Sequence, residues 1–305
     1  MDGDVVPMIG QRLFKPAVVA LIGSTLIRNI DGDGLRIAFR VARSLTSSPD
    51  EATIAVYGLD EAHRTALATT FAQFGRAKAT LSVGYDGVPV VACKGDVRTL
   101  RPTVIEGSDI ATFVTADDAG DALAEVRLPG LSSAGLTAED MIDAALAAFA
   151  LPLPLGAGEV IVKHPSVAAA IAQSVAAPAL FAAVSIGKAT DLLDEAARIL
   201  GVRWYVRDNQ LFMARRGIPT DGDAVVLNRL RWLGEPSEDA EGLVRLPAFA
   251  DARLTPGRQV QLVGRVLPGV GETFRVETSE LTGDTDADTP FAAQLTLRRL
   301  EGAIG

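Results

Sequence analysis

The sequence contains few cysteines and histidines. Its 305 residues include one cysteine, Cys93, and two histidines, His63 and His164. A single cysteine excludes an intramolecular disulfide and any site built from several cysteines. Two histidines argue equally against a histidine-rich zinc or iron centre. We therefore predict no metal site and no cofactor.

The sequence also lacks a long apolar run. The most apolar stretch near the N-terminus, residues 17–23, is short and lies between Lys15 and Arg28. A membrane-spanning helix needs about 20 apolar residues. A signal peptide begins with a basic segment, whereas this chain begins with Asp2 and Asp4. Neither feature is expected, and we predict synthesis and folding in the cytoplasm.

Positive charge is in the minority. The 38 Asp and Glu residues outnumber the 29 Lys and Arg residues, so the formal net charge is -9 and the sequence pI is about 4.9. Such a surface repels phosphates, which argues against ordinary binding of nucleic acid. Aromatic residues make up only 5%, whereas Gly (29) and Pro (16) are plentiful. That composition indicates many short elements joined by turns.

Strand patterns dominate the first 116 residues. Apolar and polar residues alternate over 34–42, which predicts a half-buried strand, and residues 52–57 resume as its hairpin partner. Asp60 is predicted to cap a helix that ends near Phe74. These features predict a mostly antiparallel β domain with one helix at 1–116. Its further strands are predicted at 77–85, 88–94, 103–105 and 110–116, with a turn at Asp86–Gly87.

The composition changes at residues 117–121, after which alanine becomes dense. Helical spacing predicts one helix beginning at Thr137 and another at 189–200, followed by a hairpin. We therefore predict a mixed α/β region at 117–220. The remaining residues, 221–305, return to short strand candidates separated by turns and predict a second β domain.

Several acidic and glycine-rich segments are candidate sites. Asp117, Asp118 and Asp121 could bind a divalent cation, but their spacing does not match a calcium loop, so a solvated interdomain turn is favoured. The glycine-rich segments 31–34 and 267–271 do not open a helix, so neither can present a helix N-terminus to a phosphate. Both are predicted to be turns.

The histidines and the cysteine have structural interpretations. His63 could act as a general base, but no serine or cysteine nucleophile lies in a recognisable motif. A position packed near Leu67 on the helix face is favoured for His63. A catalytic role is equally disfavoured for His164, which precedes Pro165 in an apolar loop region. Cys93 lies in a predicted strand and is expected to be a small buried residue. No catalytic, cofactor-binding or metal-binding residue is predicted.

The tryptophans allow two interpretations. Trp204 and Tyr205, beside Asp208 and Asn209, and Trp232 farther along could stack on carbohydrate or on bases. Isolated tryptophans more often anchor cores or subunit interfaces, and we favour that interpretation.

Residues 44–59 carry a more specific pattern. The run Ser-Leu-Thr-Ser-Ser-Pro-Asp-Glu-Ala-Thr-Ile-Ala-Val-Tyr-Gly-Leu follows an alternating strand and leads into the predicted helix. It resembles the N-terminal hairpin of baseplate hub proteins from contractile-tailed bacteriophages. In that family a strand ends in Lys-Ser or Arg-Ser, a Ser/Pro/Asn loop follows, and the next strand closes on Tyr-Asn-Leu. Gly58 stands where the family commonly has Asn.

Weaker matches follow in the order expected for that family, and together they extend the resemblance over about residues 30–300. They resemble the Gly-Tyr end of one strand in that family, the Phe-x-Gly strand that follows it and the segment that leaves the first barrel. Further matches resemble the mid-chain hairpin and the last β domain. In the segment that leaves the barrel, this chain has Asp-Ala-Gly where the family has Asp-Gly. The matching segments are 83–87, 94–97, 110–120, 201–204 with 208–209, 254–257, 274–276 and 283–285.

The resemblance implies a fold and a role. The fold would be mainly β (α+β), with two tube-like antiparallel β-barrel domains, 1–116 and 221–305, flanking the middle region. The protein would be a non-enzymatic homotrimer in the virion tail baseplate. Its six tube-like domains would form a pseudo-sixfold ring that joins the hexameric tail tube, or a distal tube protein, to the trimeric spike.

The same resemblance implies further partners and a channel. Baseplate wedge proteins would bind the ring, and DNA would pass through its lumen without specific binding. Three copies would carry three times the charge of -9. Acidic residues facing the lumen would keep DNA from sticking, although simple solubility also accounts for the acidity. The first 30 residues show no clear pattern, and an arm that orders on assembly is one interpretation.

Three alternatives remain open from the sequence. The chain could be the hub of a phage-derived contractile injection particle that carries no genome. It could be a tail-associated peptidoglycan hydrolase, although no carboxylate pair, Cys/His pair or metal site of that kind is visible. It could also be a carbohydrate-binding module that uses Trp204 or Trp232.

Overall fold

A computed structural model describes most of the chain, including strands from residue 16 to residue 299. The described residues are 15–74, 77–104, 110–118, 126–132, 136–149, 161–163, 165–174, 185–207, 210–215, 217–219, 223–264, 273–286 and 290–300. The predictions made for Asp121, His164, Asp208, Asn209 and residues 267–271 lie outside them.

The described residues form nineteen strands, four α-helices and one 3-10 helix. The helices are α1 Glu61–Phe74, α2 Ala138–Phe149, α3 Pro165–Ser174 and α4 Ala189–Leu200, with the 3-10 helix at Arg229–Arg231. The strands are β1 Pro16–Ile22, β2 Thr25–Ile30, β3 Asp33–Gly34, β4 Ile37–Ser44, β5 Glu51–Tyr57, β6 Lys78–Tyr85, β7 Val88–Val104, β8 Ile110–Asp117, β9 Arg127–Ser132, β10 Ile161–Lys163, β11 Ser185–Lys188, β12 Val202–Arg207, β13 Gln210–Arg215, β14 Val225–Asn228, β15 Ser237–Glu238, β16 Leu243–Phe249, β17 Gln259–Val263, β18 Thr273–Asp284 and β19 Ala292–Arg299.

One 14-stranded sheet dominates the molecule and contains strands from both ends of the chain. Its order is β15-β16-β19-β18-β4-β5-β8-β7-β6-β1-β2-β3, with β17 joining β18 to β14. Every pairing in it is antiparallel except the parallel pair of β14 and β17. The predicted alternation of β4 is confirmed, because Ile37, Phe39 and Val41 are buried while Arg40 between them is exposed. The predicted hairpin of β4 and β5 is also confirmed.

The sheet corrects the expectation of two separate barrels. Strand β18 pairs with β4 over seven residue pairs, from Thr278 with Ser44 to Asp284 with Ala38. Residues from both ends also share one hydrophobic core. In the part of the chain that the structure describes, strand pairing closes no barrel. The fold is mainly β with a few helices, and the domain boundaries at 116 and 220 stay a prediction.

The sheet is nevertheless strongly curved, so that strands far apart in its order come into contact. The Tyr85 hydroxyl at the end of β6 donates a hydrogen bond of 2.7 Å to the Phe291 carbonyl oxygen just before β19. The Phe291 ring lies 5.0 Å from the Phe39 ring of β4 in an edge-to-face contact. Since β4 and β6 are separated by three strands, these contacts require strong curvature of the sheet.

Strands β1 and β2 correct the interpretation of the first 30 residues as an arm. Strand β1 lies between β2 and β6 and pairs with both. Ala17, Val18 and Ala20 are fully buried in it. Residues 15–30 are therefore an integral part of the large sheet.

The middle of the chain has a second core. Helix α4 packs against α2 and against β12, and the buried residues of the two helices form a cluster with α3 and β13. Helix α2 begins as predicted, because the Asp140 amide donates to the Thr137 hydroxyl (3.1 Å) and the Thr137 amide donates to the Asp140 carboxylate (2.9 Å). The predicted hairpin of β12 and β13 is confirmed. A small parallel pair, β10 with β13, was not predicted.

Helix α1 begins and ends where the sequence predicts. The Asp60 carboxylate accepts a hydrogen bond of 2.7 Å from the His63 amide, the arrangement of an N-terminal cap. Leu67 on this helix is 3% exposed and packs into the large core. No helix in the described residues is long and apolar enough to cross a membrane.

Candidate assembly surfaces

The exposed large aliphatic side chains of the described residues are concentrated in two parts of the molecule. One group lies on β1, β2 and β7, and the other lies on β14, β17 and the turn around the 3-10 helix. Single exposed aliphatic residues need no explanation, but grouped ones mark interaction sites. The residues are Leu21, Leu26, Val88, Val90 and Val91 in the first group, and Val226, Leu230, Leu233 and Val263 in the second.

The first group contains an N-terminal apolar surface, which we define as Leu21, Leu26 and Val91. Leu21 of β1 lies opposite Leu26 of β2, so the two side chains share one face of the sheet. Val91 reaches the same face, because it pairs with Ser82, which in turn pairs with Val19 of β1. The exposed fractions are 41%, 61% and 40%. This face points away from the core, because the neighbouring Ile22 is buried.

The second group contains a C-terminal apolar surface, which we define as Val226, Leu230 and Val263. Val226 of β14 pairs with Gln261, and Asn228 pairs with Val263, so Val226 and Val263 share a face of the parallel pair. Strand β14 pairs only with β17 among the described strands and therefore lies at an edge. Leu230 follows it and is 86% exposed.

Two ion pairs lie beside Leu230 of the C-terminal apolar surface, because Arg229 and Arg231 flank it in the chain. Arg229 Nη2 lies 2.7 Å from Glu235 Oε1, and Arg231 Nη1 lies 3.1 Å from Asp251 Oδ2. Burial raises the pKa of Asp251, but hydrogen bonds from Arg253 and the charge of Arg231 outweigh burial and leave the pKa below its ordinary value. An apolar centre with a charged rim is the usual composition of a protein–protein interface.

Trp232 lies beside the C-terminal apolar surface, next to Gly264. It is partly buried and packs against the large core, as the favoured interpretation of the tryptophans predicts. Its backbone bridges to Ala248. Gly264 leaves room for the indole, since a Cβ there would lie 3.2 Å from the Trp232 ring.

Trp204 and Tyr205 are confirmed as core anchors. Trp204 is 3% exposed in the middle core, and its indole N–H donates a hydrogen bond of 2.8 Å to Asp194. Tyr205 is 2% exposed and stacks on Phe212 at a ring distance of 5.3 Å. Neither ring offers a face to carbohydrate or to a base.

His63 was predicted wrongly. It is not buried beside Leu67 but exposed, and its Nδ1 lies 2.7 Å from Asp60 Oδ2. The carboxylate that caps the helix also binds the His63 ring. Cys93, in contrast, is buried in β7 as predicted.

Asp117 and Asp118, at the predicted boundary after residue 116, make different contacts. Asp117 ends β8 and accepts a hydrogen bond of 2.7 Å from Arg98. Asp118 is 1% exposed, and its amide donates to the Asp50 carbonyl oxygen. The buried Asp118 does not fit the predicted solvated turn. The turn predicted at 31–34 is confirmed only for Asp31 and Gly32, which both have positive φ, because Asp33 and Gly34 form β3 and pair with β2.

Sequence reasoning missed both apolar surfaces, although the strands carry a signal for them. A strand that is buried on one face alternates apolar and polar residues. Several strands here instead contain adjacent apolar residues of which one is buried and the other exposed. These pairs are Leu21 with Ile22, Leu26 with Ile27, Val225 with Val226, and Leu262 with Val263.

No protein-family model matches the chain, and no curated protein matches its sequence. Solved structures do resemble it. The 43 kDa tail protein of prophage MuSo2 from Shewanella oneidensis superposes with a TM-score of 0.60 at 13% identity, covering 94% of this chain and 98% of the other. The tail protein from Neisseria meningitidis MC58 gives 0.58 at 13% identity, with coverages of 94% and 97%.

A third structure links the fold to a secretion system. The c3393 protein of E. coli gives a TM-score of 0.56 at 9% identity, covering 93% of this chain and 77% of that one. It is described as a component of the type VI secretion system with structural similarity to the T4 bacteriophage tail proteins gp27 and gp5. Over nearly its whole length, this chain therefore has the fold of these phage tail proteins.

Proposed function

We propose that this chain is the structural hub of a contractile phage tail baseplate. In this role it forms a homotrimeric ring of pseudo-sixfold symmetry between the hexameric tail tube and the trimeric spike. The observation that carries the proposal is the likeness of fold, over 94% of the chain, to two tail proteins. The resemblance of the sequence motifs to hub proteins supports the more specific role.

The two apolar surfaces support assembly into a ring. They differ in sequence and in local structure, so each fits a different patch on a neighbouring copy. Contacts between unlike surfaces are heterologous, and a heterologous contact generates a closed ring when the rotation between copies allows it. In the proposed trimer, the N-terminal apolar surface of one copy contacts the C-terminal apolar surface of the next.

The rolled sheet supplies the pseudo-sixfold element of the proposal. Strands β1–β8 come from residues 16–117, and β14–β19 come from residues 225–299. We propose that each set presents one group of strands of the shared sheet to the tail tube, so three copies present six such groups. The antiparallel pairing of β18 with β4 fixes the orientation of the two groups within a copy.

The partners and the lumen follow from this role. The ring binds a tail tube or distal tube protein on one side, the spike on the other and wedge proteins around it. DNA passes through the lumen without specific binding during ejection. The net charge of -9 per copy supports a lumen that repels DNA phosphates.

The proposed role is non-enzymatic. The tail proteins of similar fold are named for a structural part of the particle. Zymography on cell-wall substrate tests this point against a peptidoglycan hydrolase. Clearing that depends on this chain would contradict the structural role.

A second candidate is the hub of a contractile injection particle without a genome. The similarity to the type VI secretion component favours it, because that protein shares the fold over 93% of this chain. The two candidates predict the same ring and differ in what passes through it.

Imaging of the purified chain tests the proposal. Negative-stain micrographs and mass measurement should show threefold rings with a central channel, alone or after addition of the spike protein. A chain that stays monomeric at high concentration, with and without the spike protein, would contradict the hub role.

A further inference from the structure

A pocket of about 600 Å³ opens where the middle region meets the large sheet. Its lining contains four arginines from three strands: Arg203 of β12, Arg275 of β18, and Arg298 and Arg299 of β19. This concentration of positive charge is unexpected in a chain with a net charge of -9.

One carboxylate lies at the centre of three of these arginines. Glu277 Oε2 accepts a hydrogen bond of 3.1 Å from Arg203 Nη1, and Glu277 Oε1 accepts one of 3.0 Å from Arg275 Nε. Arg298 Nε lies 3.4 Å from the same Oε1. Glu277 is 9% exposed, so its charge is compensated chiefly by these groups and not by water.

The charges around Glu277 do not balance. Three guanidinium groups face one carboxylate, which leaves a surplus of two positive charges within the described residues. The fourth arginine does not change this surplus, because Arg299 pairs with Glu238 at 3.8 Å. An anionic group with two negative charges would neutralise the pocket.

The donors that face the pocket are also incompletely used. A guanidinium carries five N–H donors. Arg203 donates one of them to Glu277, while Arg298 makes only the 3.4 Å ion pair in the described part of the chain. The side chains of Arg203 and Arg298 are 35% and 44% exposed, whereas Arg275 is 3% exposed and donates to Glu277 and to the Ile218 carbonyl oxygen. A ligand in the pocket therefore meets Arg203 and Arg298.

We propose that this arginine pocket binds a phosphate dianion, as free phosphate or as a terminal phosphate monoester. Guanidinium groups bind phosphate oxygens through paired N–H donors. The arginines approach from different strands, and the oxygens of a tetrahedral phosphate also point in different directions. A phosphate monoester carries about -1.5 to -2 charges at neutral pH, which matches the surplus.

Calorimetric titration of the full chain with inorganic phosphate, in chloride buffer of low ionic strength, tests the proposal. Saturable binding of one phosphate per chain is expected. The double variant Arg203→Gln with Arg298→Gln should weaken binding by about tenfold or more, since it removes charge-assisted hydrogen bonds. The double variant Arg203→Lys with Arg298→Lys should bind with intermediate affinity, because it keeps the charge but loses the planar arrangement of paired N–H donors.

The matched control is the double variant Arg36→Gln with Arg40→Gln. It removes the same amount of positive charge from two ion pairs on β4. In these pairs Arg36 binds Asp284 and Arg40 binds Glu280, one carboxylate for each arginine. Its phosphate affinity should stay within about twofold of the wild type, because isolated surface pairs contribute little. An equal loss in both double variants would overturn the site, as would the absence of saturable binding in the wild type.

Two further ligands define what the pocket recognises. Methyl phosphate should bind as well as inorganic phosphate if the pocket accepts the end of a larger molecule. Binding of inorganic phosphate alone would assign the pocket to the free ion. Malonate, a dianion with planar carboxylates, should bind more weakly than either, and equal binding of malonate would overturn the assignment to phosphate.

Discussion

At the scale of single residues, the roll of the sheet depends on the contact between Phe39 and Phe291. Gly283 of β18 lies against both rings. A Cβ at this position would lie 2.3 Å from Phe291 Cδ1 and 2.7 Å from Phe39 Cε1. Real Cβ atoms do not approach carbon so closely, so one of the rings would have to move. Glycine is therefore required by packing here.

Gly283→Ala should destabilise the protein by about 1–3 kcal/mol, the usual cost of forcing an extra carbon into a packed core. Urea unfolding followed by fluorescence measures the change. Gly187→Ala is the matched control, because a Cβ there has no atom within 4 Å in the described residues. If the two variants were equally stable, the inference that packing requires glycine at position 283 would be wrong.

Tyr85 makes stability depend on alkaline pH. Burial raises the pKa of its hydroxyl well above the ordinary value of 10.0, although nearby backbone hydrogen bonds oppose this. Above pH 10 the unfolded chain loses this proton while the folded chain keeps it. The stabilisation is therefore fully present below pH 10 and is lost as the pH rises above it.

Tyr85→Phe should lower stability at pH 8 by about 1 kcal/mol, because it removes one hydrogen bond to the Phe291 carbonyl oxygen. That oxygen keeps its bond of 2.9 Å from the Ala250 amide. Between pH 10 and 11 the variant should lose less stability than the wild type. Parallel pH profiles of unfolding free energy for the two proteins would contradict the buried phenol.

At the scale of elements, the two hydrophobic cores should respond separately to damage. Leu193 of α4 and Leu281 of β18 are both fully buried, the first in the middle core and the second in the core of the large sheet. Truncating either leucine to alanine leaves a cavity that costs about 2–5 kcal/mol. The loss of local stability should be largest in the core that contains the cavity.

Hydrogen exchange resolves this difference. Leu193→Ala should speed exchange in α2, α4 and β12 and leave the pairing of β4 with β18 protected. Leu281→Ala should have the opposite effect. If either variant raised exchange in both cores equally, the chain would unfold as one unit, and the predicted boundaries at 116 and 220 would not separate folding units.

Local pattern was sufficient to predict many of these elements. Strand β4 alternates, and α4 presents Leu192, Leu193 and Ala196 on one face before ending at Gly201, whose φ of 65° suits glycine. Strand β1 gave no such signal, because Pro-Ala-Val-Val-Ala-Leu-Ile is apolar on both faces. Periodicity alone cannot assign a strand that is apolar throughout.

The merging of the two ends could not be predicted from local pattern. Thr278 pairs with Ser44, more than 200 residues away, and no short-range feature records a pairing of that kind. The arginine pocket has the same origin, since Arg203 and Glu277 come together only through the docking of β12 beside β18. Sites assembled from distant strands require the fold before they can be recognised.

At the scale of the whole molecule, the proposed ring depends on two unlike surfaces that fit each other. Leu26→Asp should block the N-terminal apolar surface, and Leu230→Asp should block the C-terminal one. Each places an uncompensated charge in an apolar contact, so each variant alone should fail to form trimers. Thr65→Asp, at an exposed position of α1, should still assemble.

Mixing the two interface variants distinguishes a heterologous contact from a symmetric one. The Leu26→Asp chain keeps an intact C-terminal apolar surface, and the Leu230→Asp chain keeps an intact N-terminal one. In a heterologous ring these intact surfaces are complementary, so an equimolar mixture should form heterodimers that cannot close or grow. Mass photometry detects them as a dimer peak that neither variant shows alone. If each variant instead formed a homodimer by itself, each surface would contact its own copy, and the ring would need a different interface.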